Sequence, residues 1–306
     1  MNSSRKIETA LAGLSNFISK EIRSWRKSSF LQYSQIYIDN KTALFEKKRK
    51  FNLSEYETLL EPYLSNGYRA ISHLAYTRLP SIANEDKIVL MRHDVDHDIV
   101  TALKLAEWER RNGICTTYCL LHTAWYYGEF RNGRYRHSQL LADSALALQE
   151  MGHEVSWHNN LIALALRSGA DPVEVLTDEM AFFRGLGVDL CGSSAHGDIL
   201  CRELGISNHQ IFAECSSKEN FNREITNTLD DGKAVSVRLG SVSMRDFGLT
   251  YEAYDIALDT YHYDVGGHMR TKKKPTRYRH PFGRPTRTTG SVVGFLTHPV
   301  WWDLSE

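Results

Sequence analysis

The alternation of apolar and polar positions divides much of the chain into strands that each run into a helix. The sharpest case is Lys87–Asp98, where Ile88-Val89-Leu90-Met91 is followed at once by Arg92-His93-Asp94-Val95-Asp96-His97-Asp98. So short an apolar run, with a helical pattern after it, predicts a buried parallel strand. Ile99, Leu103, Leu105, Ala106 and Trp108 then recur at helical spacing, and Gly113 suits the cap of a helix over 99–111. Further strands are expected at Tyr68–Ser72, Ile114–Leu121, His153–Trp157, Val188–Ser193, Ala234–Leu239 and Val292–Thr297. Helices are expected from the capping-box pattern Ser54-Glu55-Tyr56-Glu57 to near Gly67, over Ser138–Met151, and from Asp171-Pro172 to about Gly185. Residues 123–136, rich in Tyr, Trp, Gly and Arg, read as a long loop able to face a substrate.

Strand followed by helix, repeated, predicts an α/β protein with a parallel sheet and helices outside, either doubly wound or a barrel. Residues 5–27 stand apart. Ile7, Leu11, Leu14, Ile18, Ile22 and Trp25 fall on one helical face, with Arg5, Lys6, Lys20, Arg23, Arg26 and Lys27 around them. Such a basic amphipathic helix suits its own domain, a protein partner or an anionic membrane surface. With the basic run Lys47-Lys48-Arg49-Lys50, this makes 1–50 a helical, basic N-terminal extension, and 51–306 the main domain.

The 306 residues suffice for one large domain or two small ones, and 37 Lys+Arg against 37 Asp+Glu argues against a dedicated nucleic-acid binder. Cys115, Cys119, Cys191, Cys201 and Cys215 are odd in number and lack CxxC spacing, as expected for thiols in a reducing compartment. The N-terminus shows no apolar signal region, and no stretch has the length and apolarity to span a bilayer. A cytoplasmic protein is expected, with the first helix as its means of peripheral attachment. Residues 268–287 form a basic, proline-containing loop, either solvated or closing over an anionic substrate.

Polar clusters stand at four expected strand ends: Asp94 and Asp96, His158, His196 and Asp198, and His298. In a parallel sheet these ends lie on one side, where α/β folds bind ligands. Along the first strand, Asp94 and Asp96 should share a face, and His93, Val95 and His97 the other. Two carboxylates on one face repel unless a cation or proton lies between them. A mixed Asp/His set suits zinc or another borderline divalent ion. Taken singly, Asp98 reads equally well as a helix N-cap, and a strand-end histidine as hydrogen-bonded structure.

These motifs carry a resemblance. Arg92-His93-Asp94-Val95-Asp96, Gly152-His153-Glu154-Val155-Ser156-Trp157-His158 and Phe295-Leu296-Thr297-His298-Pro299 occur in the order of the polysaccharide deacetylase superfamily (carbohydrate esterase family four). The chain is similar to that family over 51–302, in a divergent Arg-His-Asp-Val-Asp branch. The resemblance implies an irregular (β/α) barrel of about seven parallel strands, and a metal-dependent hydrolase that removes acetyl groups from sugars. It implies a divalent metal, most simply zinc, held by Asp96 and His158, with Asp94 as general base, Arg92 orienting it, and His298 as the acid. It departs from the family at two places. Val95 separates the paired aspartates, and Ile162 stands where a second metal-binding histidine is usual. His196 is then the expected third ligand, unless Asp98 or Asp198 takes that place.

The expected substrate is an amino sugar or cell-surface glycan precursor, with Arg92, Asp264 and His268 as substrate contacts, the last two from the loop Tyr263-Asp264-Val265-Gly266-Gly267-His268. Two rivals stand beside this reading. Asp94-Val95-Asp96 is also the DxD pattern of metal-dependent glycosyltransferases, which leaves His158 and His298 unexplained. Alternatively, Ile162 marks a deacetylase-like protein without catalysis that docks on a partner.

Overall fold

The computed structural model describes residues 30–83, 85–273, 286–287 and 290–304. The amphipathic helix expected over 5–27 lies outside these residues, as does most of the basic stretch after 273. The protein is mixed α/β. Its main sheet contains β1 (Arg69–Ile71), β2 (Lys87–Val95), β3 (Thr117–Leu121), β4 (Glu154–Asn159), β5 (Gly192–Ala195), β6 (Tyr251–Glu252), β7 (Thr260–Tyr263), β8 (Arg270–Lys273) and β9 (Ser291–Thr297). Among the described residues eight helices accompany it: α1 (Gln35–Glu46), α2 (Leu53–Leu64), α3 (His73–Thr77), α4 (Ile99–Arg111), α5 (Gln139–Glu150), α6 (Leu161–Ser168), α7 (Pro172–Leu186) and α8 (Ile199–Glu203). Among the described residues none is long and apolar enough to cross a membrane.

Eight strands follow one another across the sheet in the order β6-β5-β4-β3-β2-β9-β7-β8, and all pair in parallel except β7 with β8. The sheet curls into a half-barrel. β1 stands off this path because β2 is longer than either neighbour on that edge: β1 pairs Ile88–Leu90 and β3 pairs Arg92–Val95. The other edge of β2 is occupied by β9 from Ser291↔Lys87 to Thr297↔His93. The last long strand thus lies beside the central one, and its following residue emerges next to the acidic end of β2.

β2 is buried on both faces, which explains its unbroken apolar run. Ile88 and Leu90 pack with Val292 and Tyr251 inside the curl; Val89 and Met91 pack outside with Leu105, Val293, Phe295 and Tyr56. His93 follows the outer set, as alternation requires. Its Nδ1 lies 2.6 Å from the Thr297 hydroxyl and its Nε2 2.8 Å from Glu109 of α4. Glu109 is fully buried and also accepts hydrogen bonds from Tyr118 at 2.7 Å, Thr116 at 2.8 Å, and Tyr56. His93 therefore ties β2, β9 and α4 together as structure.

Several expected elements are redrawn. The capping box before α2 uses Asn52 and Glu55, so the helix opens two residues ahead of the Ser54 pattern. The expected loop over 123–136 gives way to an antiparallel hairpin, Gly128–Arg131 with Arg134–His137. Ala234–Arg238 is a strand, yet it pairs antiparallel with Glu224–Thr228 in a separate two-stranded sheet. Residues 188–191 run irregularly into β5, which begins at Gly192. The chain over 30–50 packs on the domain: Leu31 bridges Ser138, and the Tyr33 hydroxyl donates to the Trp125 carbonyl at 2.7 Å.

Candidate metal centre

Two strand ends are built alike. After β2, the Asp96 amide donates back to the Asp94 carbonyl at 3.1 Å, and Asp98 caps α4 by accepting from the Thr101 amide at 3.0 Å. After β5, the Asp198 amide donates back to the His196 carbonyl at 3.1 Å, and Asp198 caps α8 by accepting from the Leu200 amide at 2.8 Å. In each case the residue two positions before the capping aspartate comes off the strand end while the aspartate starts the helix. The residues left over are Asp96 and His196.

They meet His158 from β4. Asp96 Oδ1 lies 3.1 Å from His158 Nε2 and 3.4 Å from His196 Nδ1, and the two imidazole nitrogens are 3.2 Å apart. The three donor atoms fall within 4.8 Å of one another. His158 Nδ1 lies 2.8 Å from the Ser194 carbonyl, which can only accept, so Nδ1 carries hydrogen and Nε2 faces the cluster. Asp96 Oδ1 is buried without a hydrogen-bond donor. A buried carboxylate oxygen left without a donor, flanked by two imidazole nitrogens, is a donor set that fits a divalent cation. Burial opposes the Asp96 charge, but the neighbouring His158 and His196, with the charge of His298, hold its carboxyl well below the usual range.

Asp98 and Asp198 are engaged elsewhere and do not supply the third ligand. Asp98 is buried and paired with Arg49 at 2.7 Å; Asp198 is held by both terminal nitrogens of Arg167 at 2.6 and 2.7 Å. Ile162 lies fully buried in the apolar core on α6.

Asp94 sits beside the cluster, with Oδ2 3.6 Å from His158 Nε2. Arg92 grips it, Nε lying 3.0 Å from Oδ1 and the Nη2 hydrogen bond to Oδ2 spanning 3.3 Å. Burial pushes the Asp94 pKa up, and the Arg92 guanidinium, with His158 and His298, outweighs it, so the carboxyl is held below its ordinary value. On another side, His298 Nε2 stands 3.9 Å from Asp96 Oδ2. His298 Nδ1 donates to Asp264 Oδ1 at 2.6 Å, while Asp264 Oδ2 accepts from the His298 amide at 2.9 Å and from Trp302 Nε1 at 2.8 Å. Burial disfavours the charged imidazole, but the Asp264 hydrogen bond and charge, with Asp96 and Asp94 behind them, push it up to about 9.

Asp264, expected to touch substrate, is instead fully buried and spends both oxygens on His298 and Trp302. His268 is exposed on the following turn, outside the cluster. Arg49 is the contributor that the sequence did not single out. Its Nη2 donates to Asp98 at 2.7 Å and to the Thr101 hydroxyl at 2.9 Å; its Nη1 donates to the carbonyls of Pro299 and Val300 at 3.1 and 3.2 Å. It clamps the segment after Asp96 to the segment after His298. Within the run 47–50 nothing local marks it, because all its partners are distant in sequence.

Comparison with known proteins finds no match, whether among family models, curated proteins or solved structures.

Proposed function

We propose that the chain is a metal-dependent carbohydrate deacetylase, an irregular (β/α) barrel of the polysaccharide deacetylase kind, which hydrolyses an acyl group from an amino sugar. The observation that carries this reading is the convergence of Asp96, His158 and His196 between an arginine-paired aspartate and an aspartate-paired histidine. Asp96, His158 and His196 would hold the ion, most simply zinc, since imidazole and carboxylate suit it. When bound, a divalent cation acts as a Lewis acid on the acyl carbonyl and on water.

The remaining chemistry belongs to the chain. Asp94, ionised and fixed by Arg92, accepts the proton of the water that attacks the carbonyl carbon. His298, charged at neutral pH and steered by Asp264, gives its proton to the nitrogen as the C–N bond breaks. Acetate and a free amino sugar result. Asp264 keeps hydrogen on Nδ1 and leaves Nε2 as the atom that delivers the proton. The free cysteines suit a reducing compartment such as the cytoplasm.

The test is acetate release from N-acetylated sugars by protein supplied with zinc, with and without a chelator. Release that stops on chelation and in Asp94→Asn supports the reading. Release that is indifferent to both contradicts it.

A further inference from the structure

His158 and His196 are held in different ways. The His158 ring is fixed from outside the cluster by its Nδ1 hydrogen bond to the Ser194 carbonyl. Among the described residues the His196 ring meets only His158 and Asp96. Its placement therefore falls on its main chain. On the way in, the Ala195 amide donates to Glu252 Oε1 at 2.9 Å, and the His196 amide donates to the Asn159 carbonyl at 2.8 Å. On the way out, the His196 carbonyl accepts from Asn208 Nδ2 at 2.9 Å as well as from the Asp198 amide.

Asn208 is fully buried, in the single turn Asn208–Ile211 after α8. Its side-chain amide is used to capacity. Oδ1 accepts from the Ile162 and Ala163 amides at 3.0 and 3.3 Å, while Nδ2 donates to the His196 carbonyl and, at 3.0 Å, to Asn160 Oδ1. A carboxamide has two acceptor sites and two donor hydrogens, so none is left over. The partners fix which end is which, because main-chain amides can only donate and a main-chain carbonyl can only accept. The start of α6 depends on this residue. Its own N-cap, Asn160, makes no side-chain capping hydrogen bond, and Asn208 satisfies two of the amides that begin the helix. Capping alone calls for an acceptor, which aspartate or serine supplies equally well. The donor half of the amide is directed at His196.

We infer that Asn208 is a positioning residue for the third metal ligand. One buried amide ties the start of α6, where Ile162 stands in place of a ligand, to the main chain of His196, which brings an imidazole to the cluster. This rests on the metal centre of the proposed function, and not on the reaction assigned to it.

The decisive variant is Asn208→Asp. It keeps acceptors for both α6 amides, where a negative charge is also favourable, but turns an oxygen toward the His196 carbonyl. Zinc affinity of the full chain is measured by competition with a chromophoric chelator, and the visible bands of the cobalt(II)-saturated protein are recorded beside cooperative melts. Asn208→Asp should bind zinc about 10–100-fold more weakly than wild type, and its cobalt bands should differ from those of wild type because an imidazole is displaced. Unchanged zinc affinity overturns the inference. So does weaker binding with wild-type cobalt bands at saturation, which marks a residue that only supports the fold. Should Asn208→Asp not melt cooperatively, Asn208→Ser, smaller and uncharged, carries the same measurements. Wild type that binds neither ion overturns the metal centre and this inference together. Metal binding as expected with no acetate release contradicts only the deacetylase reading, and acetate release with unaltered metal binding in Asn208→Asp contradicts only the role of Asn208.

Discussion

Asp94 and Asp96 are two residues apart and are set different tasks by their neighbours. Arg92 neutralises Asp94 in place, whereas Asp96 turns an oxygen without a donor toward two imidazoles. Asp94→Asn should therefore keep the metal and lose proton abstraction, lowering turnover by about 10²–10⁴-fold; acetate release with metal content measured in parallel checks this. His298 is perturbed in the opposite sense. Its pKa of about 9 exceeds the ordinary 6.5, so the charged ring's contribution to stability is complete below pH 6.5 and is lost as pH rises through about 9. Chelated wild type should lose stability across that window relative to His298→Gln, by on the order of 2 kcal/mol. Urea titrations at both ends of the window decide it; parallel pH profiles for the two proteins would refute the coupling to Asp264. Under the proposed mechanism the acid form is the active one, so rate should fall with rising pH, at or below 9 once a cation sits beside the ring. The aspartates and histidines of this centre were legible in the sequence because each stands at the end of an expected strand. The task of Asp264 was not, because its partners, His298 and Trp302, are more than thirty residues away.

At the scale of elements, the strand–turn–helix units after β2 and β5 do the positioning, and Arg49 locks the first of them to the end of β9. Arg49→Ala leaves the buried Asp98 without its ion pair and should cost about 2–4 kcal/mol. It should also lower kcat more than it raises KM, since what shifts is the spacing of Asp96 and His298. Arg49→Lys keeps the charge without the planar fork and should recover only part of the loss. Denaturation midpoints and the two kinetic constants together separate this from simple unfolding. The same contacts distinguish two truncations: removing 1–29 should leave the cooperative melt intact, while removing 1–50 also deletes the Arg49 clamp and should lower the melting temperature. Helical periodicity located α2, α4, α5 and α7, and α4 lies over the expected span Ile99–Arg111, while α1, α3 and α8 and the strands β6, β7 and β8 were not expected. It missed α6, whose Leu161–Leu166 run is buried throughout and so shows no polar face to mark its period. Ala234–Arg238 alternates buried and exposed residues, the signature of a half-solvated antiparallel strand rather than a member of the parallel sheet.

Across the whole molecule, the half-barrel brings β9 against β2, which sets His298 beside the acidic end of the central strand. The parallel sheet was legible from the repeated strand–helix pattern. Its curl and strand order were not, because they depend on which edges pair, and β2 divides one edge between β1 and β3. Convergence of donors from β2, β4 and β5 is the property from which the function is argued, and metal content tests it most directly. Elemental analysis of purified protein, loaded with zinc and dialysed, should find about one divalent ion per chain, and Asp96→Ala, His158→Ala and His196→Ala should each lose it while Asp94→Asn retains it. Equal metal in wild type and the three ligand variants, or none in any of them, would contradict the account.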